Sequence, residues 1–216
     1  MKSILFIFLI AVPSLNAQSK VEDRYSEPRN VTEFHGSEAA HGIEVLLTQS
    51  PLERVSVRSD DPEYKDEIVT SVQNGILKIY RRDSWKFWDS RRNTKVKVHI
   101  SYTNIDLLES TTGASISGKI DGKLLRLTLR TGGKINLEGT VEKLIISATT
   151  GAELSGYDLI INYLEADVST GGGVKVTVNK EVDAEAGTGG FVLFNGKAIL
   201  QRHSKSTGGI IKRSLN

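Results

Sequence analysis

The tripeptide Thr-Gly-Gly or Thr-Gly-Ala begins at Thr112, Thr131, Thr150, Thr170, Thr188 and Thr207, so it recurs at intervals of 19, 19, 20, 18 and 19 residues. A near-constant period restricts the fold to a stack of one small unit, repeated until neighbouring units bury each other's apolar faces. Between turns the unit alternates. Four positions after each Thr stand Ile116, Ile135, Leu154, Val174, Val192 and Ile211; four positions before stand Leu108, Leu127, Ile146, Ala166, Ala184 and His203. Period-two alternation denotes short strands with one face turned inward. The unit has no helical period, which disfavours a leucine-rich horseshoe, and it is half the ~40 residues of a propeller blade. The expected fold is all-β: a single-domain parallel β-helix, or β-solenoid, with rungs of about nineteen residues stacked ~4.8 Å apart. Gly at each corner supplies the positive φ of the bend, and the preceding Thr is placed to stack in a hydroxyl ladder.

Residues 34–105 are β-like but lack the Thr-Gly mark. Candidate strands cover 42–47, 54–58, 76–80 and 95–100, with Asn74-Gly75 as a tight turn, and 62–72 reads as a short helix or another strand. Since no Pro/Ser/Gly linker intervenes, residues 34–216 read as one domain, with an irregular β part at 34–110 and the repeats at 111–216. Residues 18–33 are polar and read as a flexible lead-in. At the start, Lys2, an apolar run over 4–12, Pro13 and Ala17 form a secretory signal peptide spanning residues 1–17. That run is too short to cross a bilayer as a helix. The expected localisation is therefore exported: periplasm, outer-membrane associated or cell surface, with no transmembrane span after signal removal. No cysteine is present, so stability rests on burial and backbone pairing. The formal charge of +2 leaves no basic footprint for nucleic acid.

Phe34, the strand Gly42-Ile43-Glu44-Val45, the segment 60–72, the strand Asn74-Gly75-Ile76-Leu77-Lys78-Ile79 and the serial Thr-Gly turns occur in an order that resembles the bacterial family named putative auto-transporter adhesin, head GIN domain. The serial turns of that family are often Ser-Gly-Ala-Gly, whereas this chain uses Thr and is short of the second Gly. The resemblance covers nearly all of the chain after the signal segment. It implies an exported, mostly β-solenoid, adhesin-like protein, and it brings no catalytic or binding residues with it.

Several constellations invite chemistry. Gly113 to Lys119 spells G-x-x-x-x-G-K, but Ile120 follows in place of Ser or Thr and no helix is expected after it, so the match reads as two solenoid corners. His35, His41, His99 and His203 show no metal-ligand spacing, and neither HExxH nor GxSxG occurs. Superposing the rungs is more informative. Five and three positions before the turn Thr, one rung has Glu165 and Asp167 and the next has Asp183 and Glu185. In a parallel stack these four carboxylates face outward side by side, where they repel unless calcium, a basic partner or protonation relieves them. Crowding is expected to raise at least one of their pKa values; Arg126 and Arg202 occupy equivalent column positions and offer the competing solution. The segment 81–92 holds both tryptophans between two strands, so Arg82, Trp85, Phe87, Trp88 and Arg91 are candidate contacts to a partner, with a lid over the solenoid as the alternative.

These readings lead to a non-enzymatic envelope or surface binding module, adhesin-like, whose partner is an envelope glycan or protein and whose cofactor is none, or calcium at the acidic quartet. Two alternatives stay open. One is a β-helix polysaccharide lyase or hydrolase that uses the acidic face, with Arg202 or Lys205 in support. The other is a structural envelope protein acting as a homo-oligomer through the edges of its last rung.

Overall fold

The structure, a computed structural model, describes residues 26–59, 61–82 and 95–214. Residues 1–17, read above as a signal peptide, lie outside these residues. The elements are β1 (Ser26–Arg29), β2 (Gly36–Ala39), β3 (Glu44–Gln49), β4 (Arg54–Ser59), α1 (Pro62–Glu67), β5 (Ile68–Gln73), β6 (Ile76–Arg81), β7 (Val96–Tyr102), β8 (Leu107–Ser110), β9 (Ser115–Leu129), β10 (Lys134–Ala148), β11 (Glu153–Val168), β12 (Gly173–Ala186), β13 (Phe191–Asn195), β14 (Ile199–Lys205) and β15 (Ile210–Arg213).

The fold is the β-solenoid expected, with rungs of about nineteen residues. Strands β9 to β12 pair in parallel along their lengths and bend midway, so each contributes to two walls. One wall runs β1-β4-β7-β3 and then through the first halves of β9 to β12 to β13 and β15. The other runs β5-β6-β2-β8 and then through the second halves to β14. Alternate side chains meet between the walls: the columns Val45, Ile116, Ile135, Leu154, Val174, Val192 and Leu108, Leu127, Ile146, Ala166, Ala184 are all buried.

Each corner is a type I′ turn, because both central residues have positive φ and the first carbonyl accepts from the fourth N–H. At the second repeat Thr131 has φ 48° and Gly132 φ 71°, and the Gly133 N–H donates to the Arg130 carbonyl at 2.9 Å. The left-handed conformation thus falls on Thr as well as on Gly, an uncommon burden for a β-branched residue. No cross-rung hydrogen bond between Thr hydroxyls occurs among the described residues. The corners are instead joined through the backbone: Gly113, Gly132, Gly151, Gly171 and Gly189 each donate to the Thr carbonyl of the next rung at 3.0–3.1 Å.

The stack begins earlier than the Thr-Gly mark. His41 and Gly42 have φ 60° and 72°, and the Gly42 N–H donates to the Thr112 carbonyl at 3.1 Å, so β2, His41-Gly42 and β3 form a rung of the same kind. Beyond this rung β6 and β7 still stack in parallel on β2 and β3, while β4 and β5 add antiparallel to β7 and β6 at the first end, before β8 returns beside β2. The segment 62–72 resolves into both of its readings, α1 followed by β5, and Asn74-Gly75 is the two-residue turn of the β5–β6 hairpin. Part of the polar lead-in is strand: β1 pairs with β4, so residues 26–29 are not a free lead-in. Gly113 and Gly118 are a corner and a bend around the start of β9, with strand in place of a phosphate-binding helix.

The two ends differ. At the first, α1 crosses from β4 in one wall to β5 in the other, and Tyr64 and Ile68 are buried beneath it. At the last rung the core columns change chemistry. His203 stacks on Ala184, Lys205 on Ala186 and Arg213 on Phe194, whose ring the guanidinium overlies at 5.6 Å. Their stems cover the core while their polar tips reach solvent, which gives the stack a polar end.

Candidate functional site

The outward faces of five successive rungs line a trough of about 540 Å³ on the second wall. One column reads Arg126, Ile145, Glu165, Asp183, Arg202, and the other, two residues along each strand, reads Thr128, Ser147, Asp167, Glu185, Ser204. At ~4.8 Å per strand, five rungs make a groove about 19 Å long. The repeat period alone brings these ten side chains together. The same superposition that singles out the carboxylates also finds Thr128, Ile145, Ser147 and Ser204, since each stands five or three positions before its corner Thr.

Glu165 is beside Asp183 and Asp167 beside Glu185, in the register expected, and all four face away from the buried Ala166 and Ala184. What relieves them is cationic. Arg202 donates to Asp183 through Nε at 3.1 Å and Nη2 at 2.6 Å, and its backbone N–H donates to the same carboxylate at 3.1 Å. Opposite Val182 and Asp183, β14 carries one extra residue, Gln201, and this bulge re-aims β14 before Arg202. Lys143 Nζ lies 3.0 Å from the Glu165 carboxylate. The Arg202 hydrogen bonds hold the Asp183 carboxyl below its ordinary range, so its titration moves opposite to the crowding expectation. Among the described residues no group of three or more His, Asp and Glu is placed to hold a metal ion. Asp167 and Glu185 keep no cationic partner there, which leaves the middle of the trough acidic and flanked by hydroxyls.

Carboxylate crowding does occur, but nearer the first end. Glu38 and Glu109 are register partners on β2 and β8, and burial first, then the Glu38 charge, raises the Glu109 carboxyl, although Arg130 lies 3.0 Å from it. The two sites respond oppositely. A carboxyl lowered on folding contributes stability above its unfolded value, near 3.8 for Asp, and loses it as pH falls through the folded value; one that is raised costs stability once pH exceeds about 4.5. We expect Glu109→Gln to raise the melting temperature by about 1–3 °C at pH 7 and to lose that advantage in acid. Asp183→Asn should lower it by less, because solvent screens the pair. Thermal unfolding of both variants across pH checks the signs.

Of the other candidate contacts, Arg82 is exposed and its N–H donates to the Glu67 carbonyl at 2.9 Å. Trp85, Phe87, Trp88 and Arg91 lie outside the described residues. The strands on either side of them are informative. β6 pairs in parallel with β2 and β7 with β3, so the two strands that bound this segment lie on different walls, beside the pair that the His41-Gly42 corner joins. No helix among the described residues is long and apolar enough to cross a membrane.

A parallel stack with short corners and one grooved polar wall is a repeat scaffold of the kind that presents a surface. The family described as putative auto-transporter adhesin, head GIN domain matches residues 33–198, and the chain belongs to it. Solved structures share the fold. A putative adhesin from Bacteroides fragilis is 20% identical with a TM-score of 0.64, covering 88% of this chain and 96% of its own. A putative adhesin from Parabacteroides merdae is 12% identical with a TM-score of 0.51, over 88% and 95%. A protein described as a putative lipid binding protein, from Parabacteroides distasonis, is 16% identical with a TM-score of 0.50, over 89% and 98%. No curated protein matches the chain.

Proposed function

We propose that the protein is an exported, non-enzymatic surface binding module, adhesin-like, that takes a polar ligand along the trough of its second wall. The observation that carries this reading is the run of ten outward side chains, two per rung over five rungs, that line one continuous groove. Its hydroxyl, carboxylate and guanidinium groups suit the repeated hydroxyls of an envelope glycan or the polar face of a protein. Family membership supports the adhesin-like part, and the signal segment supports export. The corners that flank the trough are two-residue turns, which supports a surface reader over a cleft enzyme. Trp85 and Trp88 are the second contact in this proposal.

The test is glycan-array and whole-cell binding with the protein from residue 18 onward. Asp167→Lys with Glu185→Lys should weaken retention about tenfold or more, as reversed charges at a contact do, and Trp85→Ala with Trp88→Ala should weaken it separately. Binding unchanged by the first pair would remove the trough; binding unchanged by both pairs would remove the reading.

A further inference from the structure

Independently of the trough, the last rung ends the stack with its backbone uncovered. β15 pairs only with β13, and β13 on its other side with β12, so one edge of β15 has no neighbour among the described residues. Ile210 and Ser214 turn their N–H groups to the rung beneath, donating to the Gly190 and Phe194 carbonyls at 2.9 Å. Backbone groups alternate sides along a strand, so Ile211 and Arg213 direct their N–H and C=O groups to the open edge. The corner is open as well. At every earlier Thr-Gly corner the Gly N–H donates to the Thr carbonyl of the next rung, whereas the Gly208 N–H has no acceptor among the described residues.

The side chains around this edge are cationic and apolar. Lys205, Lys212 and Arg213 are exposed, and the sequence has no Asp or Glu after Glu185. Arg202 is held by Asp183 and Lys175 by Glu153, but Lys205 and Lys212 have no ion-pair partner among the described residues. Arg213 donates to the Ala198 carbonyl and overlies the Phe194 ring, contacts that leave its charge uncompensated. β13, on which β15 stands, is uncharged, and Glu181 and Glu185 face outward from the other wall. Ile210, 52% exposed, stacks on Phe191 at the start of the edge. Lysines on an open edge prevent pairing with apolar or basic strands; the same charges select an acidic one. A polysaccharide lacks the alternating donors and acceptors of a strand, and a lipid surface would leave these backbone groups unpaired. We propose that the open edge of β15 and its corner bind an extended acidic segment of another protein, added as a further strand. Its carboxylates meet Lys205, Lys212 and Arg213, and an apolar residue lies beside Ile210.

The probe is the peptide Thr-Glu-Val-Glu-Val-Glu-Thr, blocked at both ends, beside its counterpart with Lys in place of Glu and two forms N-methylated at alternate residues. Titrated into the chain from residue 18 onward, the Glu peptide should slow amide hydrogen exchange at Gly208, Ile211 and Arg213 by about tenfold or more and leave β10 unchanged. One methylated form should bind about tenfold or more weakly, because only alternate N–H groups of a strand face its neighbour. Lys205→Glu with Lys212→Glu should weaken binding of the Glu peptide by about tenfold and shrink the preference for Glu over Lys by a similar factor. A frayed rung would lose both peptides together, so the change in preference separates recognition from folding. Asp167→Lys with Glu185→Lys, which tests the trough, should leave this binding unchanged. Glu and Lys peptides that bind alike, methylated forms that both bind as the parent does, or unchanged exchange at the three amides would overturn the proposal. So would protection of those amides by heparin, by phosphatidylglycerol vesicles or by raising the concentration of the chain alone, in place of the peptide. Those outcomes would give the edge to an anionic polymer, a lipid surface or a second copy.

Discussion

Truncating Leu144 to alanine is expected to destabilise the fold by about 2–5 kcal/mol, the cost of a large-to-small change in a core that cannot collapse around it. Leu144 is fully buried in the middle of the stack, and its register partners are Leu125 on the rung before and Leu164 on the rung after. Both neighbours are held by continuous strand pairing, so the rungs cannot move together to fill the space. The midpoint of urea unfolding, followed by far-ultraviolet circular dichroism, reads the effect. Ile211→Ala, in the terminal rung, should cost less, because a rung in a linear stack loses one neighbour at the end and two in the middle. Equal losses at the two sites would mean that the stack does not behave as a chain of nearest neighbours.

Gly172→Ala is expected to cost about 1–3 kcal/mol, the usual range for overpacking, although it adds a single methyl group. A Cβ at Gly172 would stand 2.1 Å from the Ala148 carbonyl oxygen and 2.6 Å from its carbon. Both are backbone atoms, and the same carbonyl accepts from the Ser169 N–H at 3.1 Å, so relief requires loosening the ladder. The corners that do carry alanine show how. At Ala114 and Ala152 the turn hydrogen bond is 3.1 and 3.2 Å long, against 2.8–2.9 Å at Gly133, Gly172, Gly190 and Gly209. The expectation is checked by the melting temperature of Gly172→Ala beside that of Ala152→Gly, which should change far less. A neutral Gly172→Ala would show that every corner can open as the alanine corners do.

The acidic quartet illustrates where register reasoning stops. Parity and period put Glu165, Asp167, Asp183 and Glu185 side by side, because a repeat fixes which backbone positions stack. Which cation each carboxylate meets depends on rotamers and on the bulge at Gln201 before Arg202, and a one-dimensional period contains neither. Similarly, Glu38 and Glu109 are 71 positions apart, so their crowding is invisible until the chain returns from its excursion.

By itself the sequence determined the rung length, the corner positions and the inward and outward columns, since all three follow from a period of nineteen and an alternation of two. It also carried the change of core chemistry at His203 and Lys205, legible once the rungs are superposed. Only the tertiary structure decided that His41-Gly42 is a corner of the same ladder, because the turn there needs left-handed geometry and a carbonyl from Thr112, and neither requires the Thr-Gly spelling. Only the tertiary structure placed α1 across one end, since residues 50–106 interrupt the period and join two walls that local pattern cannot relate. The physical reason is the same in both cases. Periodicity encodes contacts between equivalent positions, whereas an end cap and a charge partner are contacts between positions that have no equivalent.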